Sequence, residues 1–275
     1  MIGAIIGDIA GSIYEFKNIK TKDFPLFSSG CTFTDDSLMT IAVGSALMKT
    51  GARDQSLAPI IAGEMRRIGR AYPHPMGSYG GGFAAWLQSP NPEPYNSWGN
   101  GSAMRVSACG EAAGSLEEAL SLAKISAEVT HNHPEGVKGA QAVAAAIFLL
   151  RHGMGRDDLR AYIEQNFYPL NRTLDQIRPA YAFDGSCQGT VPQAFQAFLE
   201  STSFEDALRN AVSLGGDTDT LTAIACSIAW AHYARRGPDE IMLALSTLAL
   251  EMLPADLRKI VSDWESRVSL SPKAL

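Results

Sequence analysis

Apolar residues recur at helical spacing along most of this chain, while period-two runs of β-branched residues are almost absent. That combination leaves an all-α fold as the expectation. The Ala- and Leu-rich segments 38–48, 57–68, 116–127, 137–150, 204–214, 221–234 and 241–252 each read as a helix, and the apolar positions of 191–199 read as core. Several boundaries carry residues with a physical reason to be there. Gly51 follows the first segment as a C′ residue, Ser115 precedes Glu117 and Glu118 as an N-cap, and Arg235, Arg236 and Gly237 close a helix that opens at Asp217. The Gly/Pro-rich stretch 72–101 is rich in aromatics rather than charge and reads as an ordered loop region. No low-complexity tract or Ser/Gly linker divides the chain, so a single domain over 1–275 is expected.

Two helix starts carry more oxygen than a cap requires. Residues 32–43 read TFTDDSLMTIAV, and residues 213–223 read SLGGDTDTLTA. Asp and Thr are favoured N-caps, and a negative charge suits the positive end of a helix dipole. One cap needs one residue, however, and each cluster has three: Thr34, Asp35 and Asp36 in the first, Asp217, Asp219 and Thr220 in the second. If both meet in space, four carboxylates with no Lys or Arg among them repel one another unless cations intervene. An oxygen-only donor set of this kind suits Mg²⁺ rather than Zn²⁺. On the residues alone, the cap and the two-cation readings both stand.

Composition narrows the partners. The net charge is −6, and Lys and Arg are scattered, which argues against general nucleic-acid binding or an anionic membrane surface. A small anion held locally remains compatible with that balance. Cys31, Cys109, Cys187 and Cys226 form no CxxC pair, so they read as reduced thiols of a cytoplasmic protein rather than a zinc site or a disulfide framework. The apolar start, MIGAIIGDIAGSIYE, lacks a basic region and is broken by Asp8, so it reads as neither a signal peptide nor a membrane span.

The segments FTDDSLMT and SLGGDTDTLTAIA together resemble the paired signature of the ADP-ribosylglycohydrolase family. GAIIGDIAGSIYE at the start, NGSAMRV at 100–106, THNHPEGVKGA at 130–140 and GTVPQAFQAFLE at 189–200 match it in the same order, so the resemblance spans almost the whole chain. It implies a compact orthogonal multi-helix domain with a dinuclear metal site at helix N-termini. Thr34, Asp35, Asp36, Asp217, Asp219 and Thr220 would then ligate two Mg²⁺ or Mn²⁺ ions, which can orient ribose hydroxyls and acidify a bound water.

Other roles follow from the same resemblance. Glu15, a lone acid in the otherwise apolar IYEF, is expected as the acid/base, with Asp35 or Asp36 inheriting that role if Glu15 does not serve. Asn100, Gly101, Ser102 and Met104 are expected to contact ADP-ribose in a Gly-rich turn that opens a helix near Ala103 and offers N–H groups to a diphosphate. His131 is expected to line the same ligand. One of Tyr79, Phe83, Trp86, Tyr95 and Trp98 would stack on adenine. The stretch 21–29 is short beside larger relatives, which leaves less chain to cover Glu15.

The implied activity is metal-dependent hydrolysis of the glycosidic bond between ADP-ribose and its attached group. Arginine-linked protein ADP-ribose is the first expectation for the ADP-ribosylated target, with serine-linked and nucleic-acid-linked forms as alternatives. A non-catalytic ADP-ribose-binding module and a two-metal phosphoester hydrolase are the rival readings.

Overall fold

The computed structural model describes residues 1–50 and 57–269, which form fifteen α-helices and no sheet around one continuous hydrophobic core. The first seven are α1 (Ile2–Gly11), α2 (Asp35–Thr50), α3 (Leu57–Ala71), α4 (Gly81–Gln88), α5 (Gly101–Met104), α6 (Ser107–Ala112) and α7 (Leu116–Glu128). They are followed by α8 (Pro134–Arg151), α9 (Arg156–Asn166), α10 (Leu174–Ile177), α11 (Cys187–Leu199), α12 (Phe204–Val212), α13 (Thr218–Tyr233), α14 (Glu240–Met252) and α15 (Ala255–Ser269).

Every segment expected as a helix from its spacing is one. Ser115 caps α7 as expected, its hydroxyl accepting the Glu118 N–H at 3.1 Å. A single 3₁₀ turn (Ala234–Arg236) follows α13 and ends at Gly237, whose φ of 105° suits a residue without Cβ. Gly51 lies outside the described residues. Four substantial helices were not visible as period. Helix α1 is buried on every side, so it has no polar face to make a period. Helix α4 interrupts the expected loop region, and α9 and α15 are largely polar, although Leu257, Val261 and Trp264 do mark a buried stripe on α15.

The seam between α1 and α13 positions the site. Gly3, Gly7 and Gly11 fall on one face of α1 at four-residue spacing. A Cβ at Gly7 would overlap the Thr222 carbonyl, one at Gly11 the Thr218 carbonyl, and one at Gly3 would meet Trp230 and Cys226. The two backbones therefore approach as only glycines permit, and the order of these contacts makes the helices antiparallel. The end of α1 is thereby delivered to the start of α13. The Ala-rich middle of α8 does the same for α6: a Cβ at Gly110 would overlap the Ala144 carbonyl.

The chain after α1 is pinned to the same end. The Asn18 amide donates to the Tyr14, Glu15 and Gly216 carbonyls and accepts the Gly216 N–H at 2.7 Å, while Lys20 Nζ donates to the Tyr181 and Leu214 carbonyls. Gly216 lies at φ 76°, which lets the turn before α13 fold back onto Asn18.

Candidate active site

The N-termini of α2 and α13 meet, as the two-cluster reading requires: Thr220 Oγ1 on α13 donates to Asp36 Oδ2 on α2 at 3.1 Å. Around them lies a pocket of about 380 Å³, whose wall includes Glu15, Asp35, Asp36, Asp217, Asp219 and Thr220. The loop after α3 covers this end, joined to the start of α2 through a parallel bridge between Thr34 and Met76. Gly77 stands so close to Glu15 that a Cβ there would lie 2.9 Å from Glu15 Oε2. Glu15 Oε2 is thus covered from outside the short 21–29 stretch, by Gly77 in the loop after α3.

The capping explanation fails for Asp36 and Asp217. Asp217 is the N-cap residue of α13, yet its side chain makes no capping bond and instead accepts from Asn100 Nδ2 at 2.7 Å. At α2 the cap comes from another helix. Asp8 on α1 accepts the Thr34 N–H at 2.9 Å, the Thr34 hydroxyl at 2.7 Å, the Ser37 N–H at 3.0 Å and the Ser37 hydroxyl. Thr34 Oγ1 accepts the Asp36 N–H at 3.2 Å, leaving Asp36 free of capping duty.

Asp36 Oδ1 and Glu15 Oε2 are buried with no hydrogen-bond partner. Among the described residues no Lys or Arg pairs with Glu15, Asp35, Asp36, Asp217 or Asp219. Unpaired buried charge of this density is costly and shows in the acidities. Burial pushes Glu15 up to about 7, aided by the charges of Asp217 and Asp8. Burial likewise pushes Asp35 up to about 8, with Asp8, Asp217 and Glu15 adding repulsion. Asp36 and Asp219 are raised well above an ordinary aspartate, again by burial first and by neighbouring carboxylates second.

Two carboxylate triplets bring one oxygen each to within 4.8 Å of one another: Glu15, Asp217 and Asp219, and Asp8, Asp36 and Asp219. The first can hold a hard cation. In the second, Asp8 already accepts four hydrogen bonds from Thr34 and Ser37, three of them at Oδ2, which makes it a support behind Thr34 and Asp36. The orphaned oxygens of Glu15 and Asp36 and the all-oxygen donor set fit divalent metal at this end of the pocket.

The expected ligand-contacting residues divide. Asn100, Gly101, Met104 and His131 are in the pocket wall. Ser102 is fully buried with its hydroxyl turned inward, donating to the Gly136 carbonyl at 2.7 Å, and Thr34 also stands behind the wall. The helix after the Gly-rich turn begins at Gly101 and lasts only four residues. The turn is less free than expected, because the Asn100 N–H goes to the Gly185 carbonyl at 2.8 Å and the Gly99 N–H to Ser97 Oγ at 3.1 Å. Of the aromatic set, Tyr79, Phe83 and Tyr95 reach the pocket, and Phe183, 62% exposed, joins them at its mouth.

The sequence profile of the ADP-ribosylglycohydrolase family matches residues 1–264. The chain belongs to that family. Members of known name include ADP-ribosylhydrolase ARH3 of Xenopus tropicalis, 24% identical over 98% of this chain and 93% of that one. ADP-ribosylarginine hydrolase Tri1 of Pseudomonas putida is 25% identical over 86% of this chain and 70% of its own. A solved chain from an "ADP-ribosylglycohydrolase-related protein complex" superposes with a TM-score of 0.70 over 95% of both chains at 22% identity, which establishes the shared fold.

Within this family fold, the residue that sequence reading missed is Asp8. Its signal was an acid inside GAIIGDIAG, a segment whose every residue is buried. A charge retained there has to be hydrogen-bonded by something distant in sequence, and Thr34 and Ser37 supply those bonds. The four cysteines are free and buried, and no helix among the described residues is long and apolar enough to cross a membrane.

Proposed function

We propose that the pocket hydrolyses the glycosidic bond between ADP-ribose and an attached group, with arginine-linked protein ADP-ribose as the first substrate to test. The observation that carries this is the meeting of five unpaired carboxylates in one pocket, two of them with buried, partnerless oxygens, in a member of this family. Asp35, Asp36, Asp217 and Asp219, with Thr34 and Thr220, would hold two Mg²⁺, with Mn²⁺ as a substitute. Bound there, the cations would supply charge neutralisation and a Lewis-acid grip on ribose hydroxyls.

The chain's own groups do the rest. Cleavage at an anomeric carbon develops positive charge on the sugar and needs a proton for the leaving group. Glu15, set beside Asp217 and Asp219 at this end of the pocket, is placed to give that proton and return as a base for the incoming water. Gly77 covers Glu15 Oε2, and Asn100 holds Asp217 through its amide hydrogen bond. Met104, Gly101 and His131 line the space for the remainder of the nucleotide. We take the whole chain as one such domain, and its free thiols suit a cytoplasmic setting.

The test is to give the purified protein arginine-, serine- and DNA-linked ADP-ribose, with Mg²⁺ or with EDTA, and to follow free ADP-ribose. Metal-dependent release from the arginine conjugate is expected. Tight ADP-ribose binding without release would make the protein a binding module, and free phosphate would make it a phosphoester hydrolase.

A further inference from the structure

Arg105 is 1% exposed, and among the described residues no carboxylate pairs with it. A buried guanidinium without an acid needs another use, and its hydrogen bonds point to one. Its Nη2 donates to the Ser126 carbonyl and to Thr130 Oγ1, each at 2.8 Å. Thr130 Oγ1 in turn lies 2.7 Å from His131 Nδ1.

The protons in this chain can be placed by counting. A guanidinium has only donors, so Thr130 Oγ1 must accept from Arg105. The Thr130 hydroxyl then has one proton to give, and among the described residues His131 Nδ1 is the acceptor that meets it. Burial, with the Arg105 charge adding to it, keeps the imidazole neutral. A neutral ring that accepts at Nδ1 carries its proton on Nε2. That nitrogen faces open space kept clear by two glycines: a Cβ at Gly101 would lie 3.2 Å from it and one at Gly99 3.3 Å. His131 is itself in the pocket wall, and no group among the described residues takes its Nε2–H.

We propose that Arg105 and Thr130 are positioning residues that lock His131 as the Nε2–H tautomer, a fixed donor to a diphosphate oxygen of bound ADP-ribose. The ligand half of this rests on the functional reading above; the tautomer half does not. An anionic acceptor is favoured for two reasons. The Gly99 and Asn100 N–H groups are already used within the chain and are not free to cradle a phosphate. The unpaired charge of Arg105 also makes this wall the positive part of a pocket otherwise lined by carboxylates.

The tautomer is read directly by long-range ¹H–¹⁵N correlation on protein labelled with ¹⁵N-histidine, with His131→Gln assigning the signal. Wild type without ligand is expected to show the Nε2–H pattern, Thr130→Ser to keep it, and Thr130→Val to lose it. Titration with ADP-ribose in Mg²⁺ should give Thr130→Ser a Kd within about twofold of wild type and Thr130→Val one about tenfold weaker, the loss of one hydrogen bond. Thr130→Val also leaves Arg105 one acceptor short, so the wild-type spectrum and Thr130→Ser carry the test if that variant does not fold. An Nδ1–H pattern in the wild type overturns the lock. An Nε2–H pattern with no ADP-ribose binding overturns the ligand half together with the functional reading, while the lock stands.

Discussion

Glu64 and Asp36 are both almost without exposure, at 6% and 2%, yet the chain treats their charges in opposite ways. Glu64 on α3 accepts from Ser45 Oγ at 2.7 Å, Lys49 Nζ at 2.6 Å and Arg67 Nη2 at 2.9 Å. Burial alone would raise its pKa, but those donors outweigh it and hold Glu64 at about 2. Asp36 has one oxygen with Thr220 and Thr34, one with nothing, and carboxylates for neighbours. The first is a finished structural ion cluster. The second is an unfinished one, and what it lacks is positive charge that the chain itself could have supplied, as it did at Glu64, but did not. A metal ion held by the clustered acids could supply it, as the proposed function requires.

The largest effect should come from removing an acid of the unfinished cluster. Asp219 belongs to both carboxylate triplets, and Asp219→Ala is expected to reduce ADP-ribose release by about 10²–10³-fold. It should also weaken Mg²⁺ binding in calorimetry while leaving the far-ultraviolet circular dichroism that of a folded helical protein. Near-wild-type turnover would separate the chemistry from this cluster altogether.

Next in size is the seam that brings the clusters together. Gly7→Ala drives a methyl into the Thr222 carbonyl, and overpacking of this kind costs about 1–3 kcal/mol. Denaturant melts should show that loss, and because α1 carries Asp8 while α13 carries Asp219, Mg²⁺ affinity should fall with it. Unchanged affinity in the destabilised variant would mean the site does not depend on how these helices are spaced.

This seam also marks where the sequence was legible and where it was not. Thr34–Asp36 and Asp217–Thr220 could be read because each is a local anomaly, more oxygen at a helix start than a cap can use. Asp8 could not, since the groups it supports lie in another helix and nothing near it in sequence names them. The glycines at 3, 7 and 11 are plain to see, yet the stripe says only that some backbone comes close, not that it is α13. Ser102 shows the converse limit: its segment was placed correctly at the pocket, but which side of a four-residue helix faces inward depends on Gly136 and Cys187, which arrive from elsewhere. Among the helices missed, α1 is buried throughout and α9 hardly at all, so neither shows two clearly different faces along its length.

The acidities of the two clusters predict opposite pH dependences. Glu64 is depressed to about 2 from 4.5, so it adds stability above about pH 4.5 that is lost as pH falls towards 2. Asp35 at about 8 and Glu15 at about 7 are raised, so the folded metal-free protein binds more protons than the unfolded chain between about pH 4 and 8. Its stability must therefore fall as pH rises through that range, by at most about 1.4 kcal/mol per pH unit for each group. Thermal melts in EDTA should show the midpoint rising by a few degrees, roughly 2–6 °C, from pH 8 to pH 6. With Mg²⁺ the slope should flatten or reverse, since cation and proton compete for the same oxygens. A flat profile in EDTA would show that these carboxylates are compensated within the chain, as Glu64 is.

The smallest effect is the sharpest test of the contrast, because the same chemical change should act with opposite sign at the two sites. Glu64→Gln removes the charge that Lys49 and Arg67 bind; both are about half exposed and can turn to water, so the loss should be moderate, about 1 kcal/mol. Asp36→Asn removes a charge with no cation beside it, and in EDTA at pH 8 it should stabilise the fold, by about 1 kcal/mol. Urea melts of the two variants against wild type read both signs in one experiment. If Asp36→Asn is instead the more destabilising of the two, its carboxylate is a structural acceptor, and the distinction between a finished and an unfinished cluster disappears. If the signs are opposite in EDTA and Mg²⁺ then stabilises wild type but not Asp36→Asn, the stability given up at Asp36 without metal is the same free energy that the cation restores when it binds.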